Sequence, residues 1–322
     1  MTHPDVTQAL MFALNCFNTG RRNMAVEVVA QAVKVEHTEL ADHVMWHVVG
    51  QPASPELKDF SGEWWRGEYL DGKTVEVFCD QGMGDAVQCL RYLNVLKGAG
   101  CKVVLNYYAF HDEFHRLAEA FGYETVKTHV RCDYYTNVLS VPHILEDGVT
   151  VYPPDWRRLL SLGVPEQPGA EVPEFKMFNG EAFRVGVAAG TNAANPLAEK
   201  KSVPLGCLLR LEDGVNELWS VNPSDKKCNF MVKPRLADLL DTASLMRGLD
   251  VVVTADTVAL HLAGTLGVRT LAMLSHDHDP RWGSGDRTAW YPTVELFRRP
   301  ATGGWEPVVE AVRRRILELR SA

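Results

Sequence analysis

The segment Val251–Gly267, VVVTADTVALHLAGTLG, is the strongest constraint on the fold of this chain. A β-branched run ends in Thr254-Ala255-Asp256-Thr257, and a helix of small and apolar residues follows at once. Such a strand–turn–helix aims backbone N–H groups and a helix N-terminus at one point, which is how α/β proteins hold phosphate. Asp256 and Thr257 can each cap that helix. His261, four residues after Thr257, projects from roughly the same side. The same residues also suit a purely structural turn, because Asp and Thr cap many helices and a single helical His is often a core or surface residue.

Around this segment, strands and helices alternate. The pattern predicts strands at 74–79, 102–107, 124–126 and 138–141, with helices at 85–98 and 111–122. Five prolines within 153–173 read as a crossover. A second series then has strands at 184–188, 218–221, 250–254 and 270–274, helices at 236–247 and 257–266, a loop over 275–293 and a last helix at 305–320. This alternation argues for parallel sheets with helices on both faces, and for two α/β domains with a ligand site between them. The first 50 residues read as three helices resembling tetratricopeptide hairpins, followed by an aromatic, turn-rich connector over 51–72.

Length and charge narrow the function classes. A chain of 322 residues suits two domains. With 41 acidic against 33 basic residues the net charge is −8, which gives no general pull toward nucleic acid or anionic membrane. Arg21, Arg22, Arg157, Arg158 and the run Arg313-Arg314-Arg315 could still contact phosphates locally, or be ordinary solvated helix surface. No apolar run approaches the roughly 20 residues of a membrane span, and the N-terminus lacks the blocks of a signal peptide. Seven scattered cysteines without a C-x-x-C argue for a reducing cytoplasm, a host cytoplasm for a viral protein, and against a disulfide framework or zinc site.

Four further segments carry candidate chemistry. Asp80-Gln81-Gly82-Met83-Gly84-Asp85 follows the first strand of the series, and its glycines allow close backbone approach to a ligand. A dinucleotide fingerprint needs a third glycine where Val87 stands, so NAD and FAD are not expected. Asp85 reads either as a general base at the sheet edge or as a helix cap. Lys200-Lys201-Ser202-Val203-Pro204-Leu205, after the loop Gly190-Thr191-Asn192, either neutralises a diphosphate or is a solvated basic loop. His276-Asp277-His278-Asp279 contains metal-capable types but reads as a polar loop, and no metal site is expected. Asp279-Pro280-Arg281-Trp282 and Trp290-Tyr291-Pro292 either pack on a sugar or base or anchor the loop.

In order along the chain, several segments resemble the heptosyltransferase-like glycosyltransferases, nearest to the subgroup in which tetratricopeptide helices precede the transferase. Trp65-Arg66-Gly67 and Leu70-Asp71-Gly72-Lys73 resemble the entry to the first strand. Asp80 through Gln88 with Arg91-Tyr92 resembles E-Q-G-L-G-D-x-x-Q-x-x-R-Y, and Lys201–Leu205 resembles R-S-I-P-L. Asp241-Thr242-Ala243, Asp256 through Gly264, Asp279-Pro280-Arg281-Trp282, Trp290-Tyr291-Pro292 and Leu296-Phe297-Arg298 complete the run, which spans roughly 63–320. The chain departs from the pattern at Asp80 (usually Glu), at Lys201 (usually Arg) and in the loop Ala189–Asn192, which lacks the common Trp.

The resemblance implies a GT-B-like α/β fold of two facing Rossmann-like domains with a small N-terminal helical module. Its parts would be a helical module and connector over 1–72, an acceptor-side domain over 73–165, a nucleotide-sugar domain over 174–300 and a last helix over 301–322 crossing back. It implies inverting, metal-independent transfer of a hexosyl, pentosyl or heptosyl group from a nucleoside-diphosphate sugar, a UDP- or ADP-sugar, without a prosthetic group. Asp85 would be the base. Gly190, Thr191, Lys201, Ser202, Asp256, Thr257 and His261 would face the donor. Gln81, Gly82, Gly84, Gln88, Arg281 and Trp282 would line the acceptor side. The acceptor would be a glycan such as lipopolysaccharide, a protein, or a hydroxylated DNA base as in viral genomes. The rival readings are a non-catalytic sugar-nucleotide or partner-binding module and a GT-B nucleotide-sugar epimerase.

Overall fold

A computed structural model describes residues 8–13, 24–25, 28, 60–79, 82–107, 113–147, 165–166, 169–178, 182–190, 201–222 and 229–321. Of the expected N-terminal helices, only residues 8–13, 24–25 and 28 are described, and these are helical. The rest of that module, the connector up to residue 59 and most of the proline-rich crossover lie outside the described residues. The chain forms two compact units. One comprises Met1–Gln81, Cys89–Phe110 and Tyr123–Pro165, the other Gly82–Gln88, His111–Gly122 and Glu166–Ala322. Each holds one parallel five-stranded sheet.

In the first unit the strands are β1 (Glu63–Trp64), β2 (Thr74–Phe78), β3 (Lys102–Asn106), β4 (Glu124–Val126) and β5 (Tyr134–Asn137), in the order β1-β5-β2-β3-β4. The helix α1 (Met83–Gly98) follows β2. Two strand expectations are corrected here. The aromatic connector contributes β1, which pairs with β5. The apolar stretch at 138–141 is not a strand: the strand ends at Asn137, whose Oδ1 accepts from the Leu139 amide at 2.8 Å and turns the chain. The helix α3 (Val141–Asp147) begins directly after that turn, with Pro142 in its first turn, where no amide hydrogen is needed. The buried carboxylate of Glu76, in mid-β2, is fully used. It accepts from Asn106 Nδ2 at 2.6 Å and from the Val130 amide at 3.0 Å, and it lies 2.8 Å from His129 Nδ1.

The second unit contains β6 (Arg184–Ala188), β7 (Glu217–Ser220), β8 (Val251–Ala255), β9 (Thr270–Leu274) and β10 (Val294–Arg298), in the order β10-β9-β8-β6-β7. Every residue of β8 and β9 is buried, as expected for central strands of a parallel sheet. The edge strand β10 follows directly on the loop predicted over 275–293, in a stretch for which the sequence predicts no element. It pairs with β9 from Val294↔Thr270 to Arg298↔Leu274. Its helices are α2 (His115–Ala120), α4 (Leu205–Leu208), α5 (Leu239–Arg247), α6 (Val258–Thr265) and α7 (Glu306–Ser321). Alternate residues Val185, Val187, Val251, Val253, Leu271 and Met273 share one sheet face, and Val308, Val309, Val312 and Ile316 of α7 pack on them in one core. Gly186 is required in mid-β6, because a Cβ there would lie 2.5 Å from Leu249 Cδ1. Arg116 on α2 pairs with Asp238, the N-cap of α5, at 2.5 Å.

The strand order places a switch point between β6 and β8, since the chain runs outward to β7 and then returns to the other side of β6. Ligands of open α/β sheets bind outside the carboxyl ends of the strands at such a point.

Candidate functional site

At the carboxyl end of β8 the chain turns through Asp256 into α6. Thr257, not Asp256, is the N-cap: its Oγ1 accepts from the Ala259 amide at 3.2 Å. The Asp256 carboxylate is thereby left for another partner. Its Oδ2 lies 2.8 Å from Lys201 Nζ, with the lysine side chain 22% exposed and the aspartate 7% exposed. The Val203 amide donates to the Ala189 carbonyl at 2.7 Å, and Asn222 Nδ2 donates to the Gly190 carbonyl at 3.0 Å. A Cβ on Gly190 would stand 2.8 Å from Ser202 Oγ. Gly190, Lys201, Ser202, Asp256 and Thr257 therefore flank the switch point. Gln81 and Thr191 lie outside the described residues.

The first turn of α1 belongs to the same unit. Gly82 precedes it, with its carbonyl accepting from the Ala86 amide, and Asp85 is the acidic residue of that turn. Asp85 is thus not the cap, and its charge favours the positive end of the helix dipole. A Cβ on Gly84 would lie 2.7 Å from His261 Cδ2 and 3.5 Å from Val258 Cα. Glycine is what lets α1 approach the first turns of α6 this closely. Gly84→Ala should cost about 1–2 kcal/mol, because overpacking a fixed ring exceeds the helix-propensity gain. Urea unfolding with an unchanged m-value would read that loss, and a variant as stable as the parent would show that the ring yields.

Arg281 joins these parts. Its guanidinium is buried. Nη1 donates to Asp85 Oδ1 at 2.6 Å and to Gln88 Oε1 at 2.7 Å, and Nη2 lies 3.1 Å from Asp279 Oδ2. Burial opposes its charge, but Asp279 and Asp85 outweigh burial and hold the guanidinium protonated far beyond the usual arginine range. Asp85 keeps 26% of its side chain exposed. Asp279 faces Arg281, while His278 Nδ1 lies 3.0 Å from the Asp279 carbonyl and its Nε2 accepts from Arg298 Nε at 2.9 Å. This puts the proton of His278 on Nδ1. Arg298 Nη2 also donates to the Trp282 and Gly283 carbonyls, so the loop after β9 is braced from β10.

His261 sits at the centre. Its Nδ1 is 3.0 Å from the Tyr291 hydroxyl, and its ring lies 5.3 Å from that of Trp282. Tyr291 lies against Gly264 of α6, where a Cβ would collide with the ring. The sequence offers Tyr291 only as one of the aromatics that pack on a sugar or base or anchor the loop. The signal for its placement is Gly264 itself, since a glycine inside a helix is costly unless something must come close. Desolvation first, then Arg281, pushes His261 down to about 4, against the pull of Asp256 and Asp85; Lys201 pushes it down as well. All four charged groups therefore act on one imidazole. Asp256 is held below the ordinary aspartate range: burial would raise it, and Lys201 and His261 lead the groups that overcome burial.

A buried neutral His261 makes stability sensitive to acid. The unfolded residue titrates near 6.5 and the folded one near 4, so between these values only the unfolded chain binds the proton. The contribution is complete above about pH 6.5 and is lost as pH falls toward 4, roughly 3 kcal/mol in all. Asp256 adds to the loss below about pH 4. Urea midpoints at stepped pH values should show this slope in the parent and a flatter one in His261→Gln. Identical slopes would place the acid sensitivity elsewhere.

Solved structures share this architecture. A family 9 glycosyl transferase from Veillonella parvula DSM 2008 aligns with a TM-score of 0.50 at 13% identity, over 79% of this chain and 99% of its own. The ADP-heptose lipopolysaccharide heptosyltransferase II of E. coli aligns with a TM-score of 0.51 at 11% identity, over 77% and 97%. The fold is that of the GT-B glycosyltransferases. No family model matches the sequence, and no curated protein matches it. At these identities the likeness is one of fold, and the tetratricopeptide association has no support from it. No helix among the described residues is long and apolar enough to cross a membrane.

Proposed function

We propose that the chain is a glycosyltransferase that moves a sugar from a nucleoside-diphosphate sugar to an acceptor hydroxyl, by an inverting and metal-independent route. The observation that carries this reading is a pair of ion contacts on either side of His261: Lys201 Nζ lies 2.8 Å from Asp256 at the head of α6, and Arg281 Nη1 lies 2.6 Å from Asp85 in the first turn of α1, whose Gly84 abuts the His261 ring. A carboxylate, a cation and a capped helix N-terminus thus meet beside a sheet switch point. In the proposed reaction Asp85 accepts the proton of the acceptor hydroxyl as the oxygen attacks the anomeric carbon. The bond from that carbon to the diphosphate oxygen breaks, and the nucleoside diphosphate leaves with the electron pair. One displacement from the face opposite the leaving group inverts the centre.

Lys201 and the first amides of α6 supply the positive potential that the departing diphosphate needs. That countercharge comes from the chain, which supports a route without a metal ion. Gly190, Ser202 and Thr257 flank the donor, and Thr191 joins them by its place in the loop after β6. Gly82, Gly84, Gln88 and Gln81 belong to the turn that presents Asp85. Arg281 and Trp282 act from behind, the one holding Asp85 and the other packing on His261. The E. coli neighbour is named for ADP-heptose, so ADP-sugars head the donors to test, with UDP-sugars next.

The test is thermal stability against UDP, ADP, GDP, CMP and their sugars, with and without EDTA. A donor at 100 times its Kd should stabilise the fold by about 2.7 kcal/mol, and EDTA should leave the shift intact. Asp256→Ala should weaken that binding at least tenfold, because the turn loses its carboxylate and Lys201 its partner. Unchanged affinity in Asp256→Ala would move the donor away from this turn. No shift with any nucleotide would favour a partner-binding module, and turnover of a donor sugar without an acceptor would favour an epimerase.

A further inference from the structure

The opposite edge of the second sheet carries a separate feature. A cavity of about 680 Å³ opens at the amino-terminal ends of β8, β9 and β10, and Arg247, Arg269, Arg287 and Arg315 line it beside Asp250 and Glu295. A second cavity of about 310 Å³ shares Arg287, Glu295 and Arg315 and adds Arg314. The strands are parallel, so this groove is at the far edge of the sheet from Asp256. It uses none of the residues assigned to the donor.

The protein carries −8 overall, and here five guanidiniums outnumber the four carboxylates, Asp250, Asp286, Glu295 and Glu318, that line the two cavities with them. No lysine follows Lys233, so every cation in this part of the chain is an arginine. Glu295 fixes two of the five. Arg315 grips it with Nε and Nη2, both at 2.9 Å, while its Nη1 donates to Glu318 at 2.9 Å, and Arg287 Nη2 lies 3.2 Å from Glu295 Oε1. Asp250 is used by the backbone, with its Oδ2 accepting from the Arg184 amide at 2.7 Å. Arg247 and Arg269 are exposed; Arg247 Nη1 donates to the Ala170 carbonyl at 3.3 Å, and Arg269 is among the cations that hold Glu295 below the usual carboxylate range. Planar guanidinium forks match phosphate oxygens two at a time, and cavities of this size hold small ligands.

We propose that this arginine-lined groove is a second binding site, specific for a chain of phosphates, either a free polyphosphate or the backbone of a single-stranded nucleic acid. Arg269 and the remaining donors of Arg247 supply the exposed forks. Arg287 and Arg315, held rigid by Glu295, shape the wall. Arg314 extends the site along α7 and absorbs part of the basic run at 313–315.

The full chain is titrated with inorganic tripolyphosphate and with a labelled single-stranded oligonucleotide, at rising salt. The parent should bind at least one probe with steeply salt-dependent affinity, and Arg247→Gln combined with Arg269→Gln should lower that affinity about tenfold or more. Nucleoside-diphosphate binding should not change. Arg269→Glu, a single reversal at an exposed side chain, serves if the double variant melts early, and the same loss is expected. Binding of both probes, with tripolyphosphate displacing the oligonucleotide, identifies a free phosphate chain. Oligonucleotide binding that tripolyphosphate does not displace identifies the nucleic-acid backbone. No binding of either probe at about 50 mM salt, or equal affinities in parent and variants, overturns the proposal.

Discussion

Arg281→Met should destabilise the protein by about 3–5 kcal/mol, the cost of removing one partner from a buried ionic cluster. The substitution keeps much of the apolar volume but takes away the donors that face Asp85, Gln88 and Asp279. Both carboxylates then stay charged in a poorly solvated place, with repulsion where there was attraction. Because a domain is stable by only about 5–15 kcal/mol, the loss is a large share of the total. Urea unfolding of parent and variant measures it directly. A loss below about 1 kcal/mol would mean that the cost of burying the guanidinium already cancels most of its attraction. Arg281→Lys should recover only part of the loss, because an ammonium is a point charge and cannot replace a planar fork between Asp85 and Asp279. Coupling to His261 gives an independent reading. Arg281 is among the groups that depress the imidazole, so its removal should raise the titration of His261 and narrow the acid-sensitive window.

The contrast between β8 and β10 shows what a sequence makes legible. In β8 the burial is total, so the apolar run of 251–255 declares itself, and the turn residues behind it announce the helix. In β10 only Val294 and Leu296 are buried, and the interleaved Glu295, Phe297 and Arg298 are half-exposed at a sheet edge. A short edge strand of this kind looks like loop, and Glu295 and Arg298 are spent on partners that no local pattern names. The stretch 138–141 failed for the reverse reason. Its apolar residues are buried, but in a turn that Asn137 closes from its own side chain.

The candidate site divides along similar lines. The turn at Asp256, the glycines before Asp85 and the basic loop at Lys201 are local patterns, and each was readable. The ties between them are not local. Arg281 reaches Asp85 across 196 positions and Gln88 across 193, and Lys201 reaches Asp256 across 55. Periodicity carries no information about such pairs, because the fold alone brings them together. The consequence for Arg281 is physical: a residue expected on the acceptor side is buried against the carboxylate it holds.

That geometry bears directly on Asp85→Asn, the second large effect. The amide keeps the shape of the side chain and can still accept from Arg281 Nη1 through its oxygen, so the fold should survive. The loss of one negative charge beside a buried guanidinium should cost stability, but less than Arg281→Met, because Asp279 remains to balance Arg281. What disappears is the proton acceptor. If Asp85 is the base, sugar transfer should fall by about 10²–10⁴-fold while donor affinity changes little, since Asp85 faces the hydroxyl and not the phosphates. The separation of effects is the diagnostic. A fall in kcat at constant donor affinity places Asp85 at the reacting hydroxyl. Donor binding lost together with turnover would make it part of the phosphate site, and normal turnover would remove it from the chemistry.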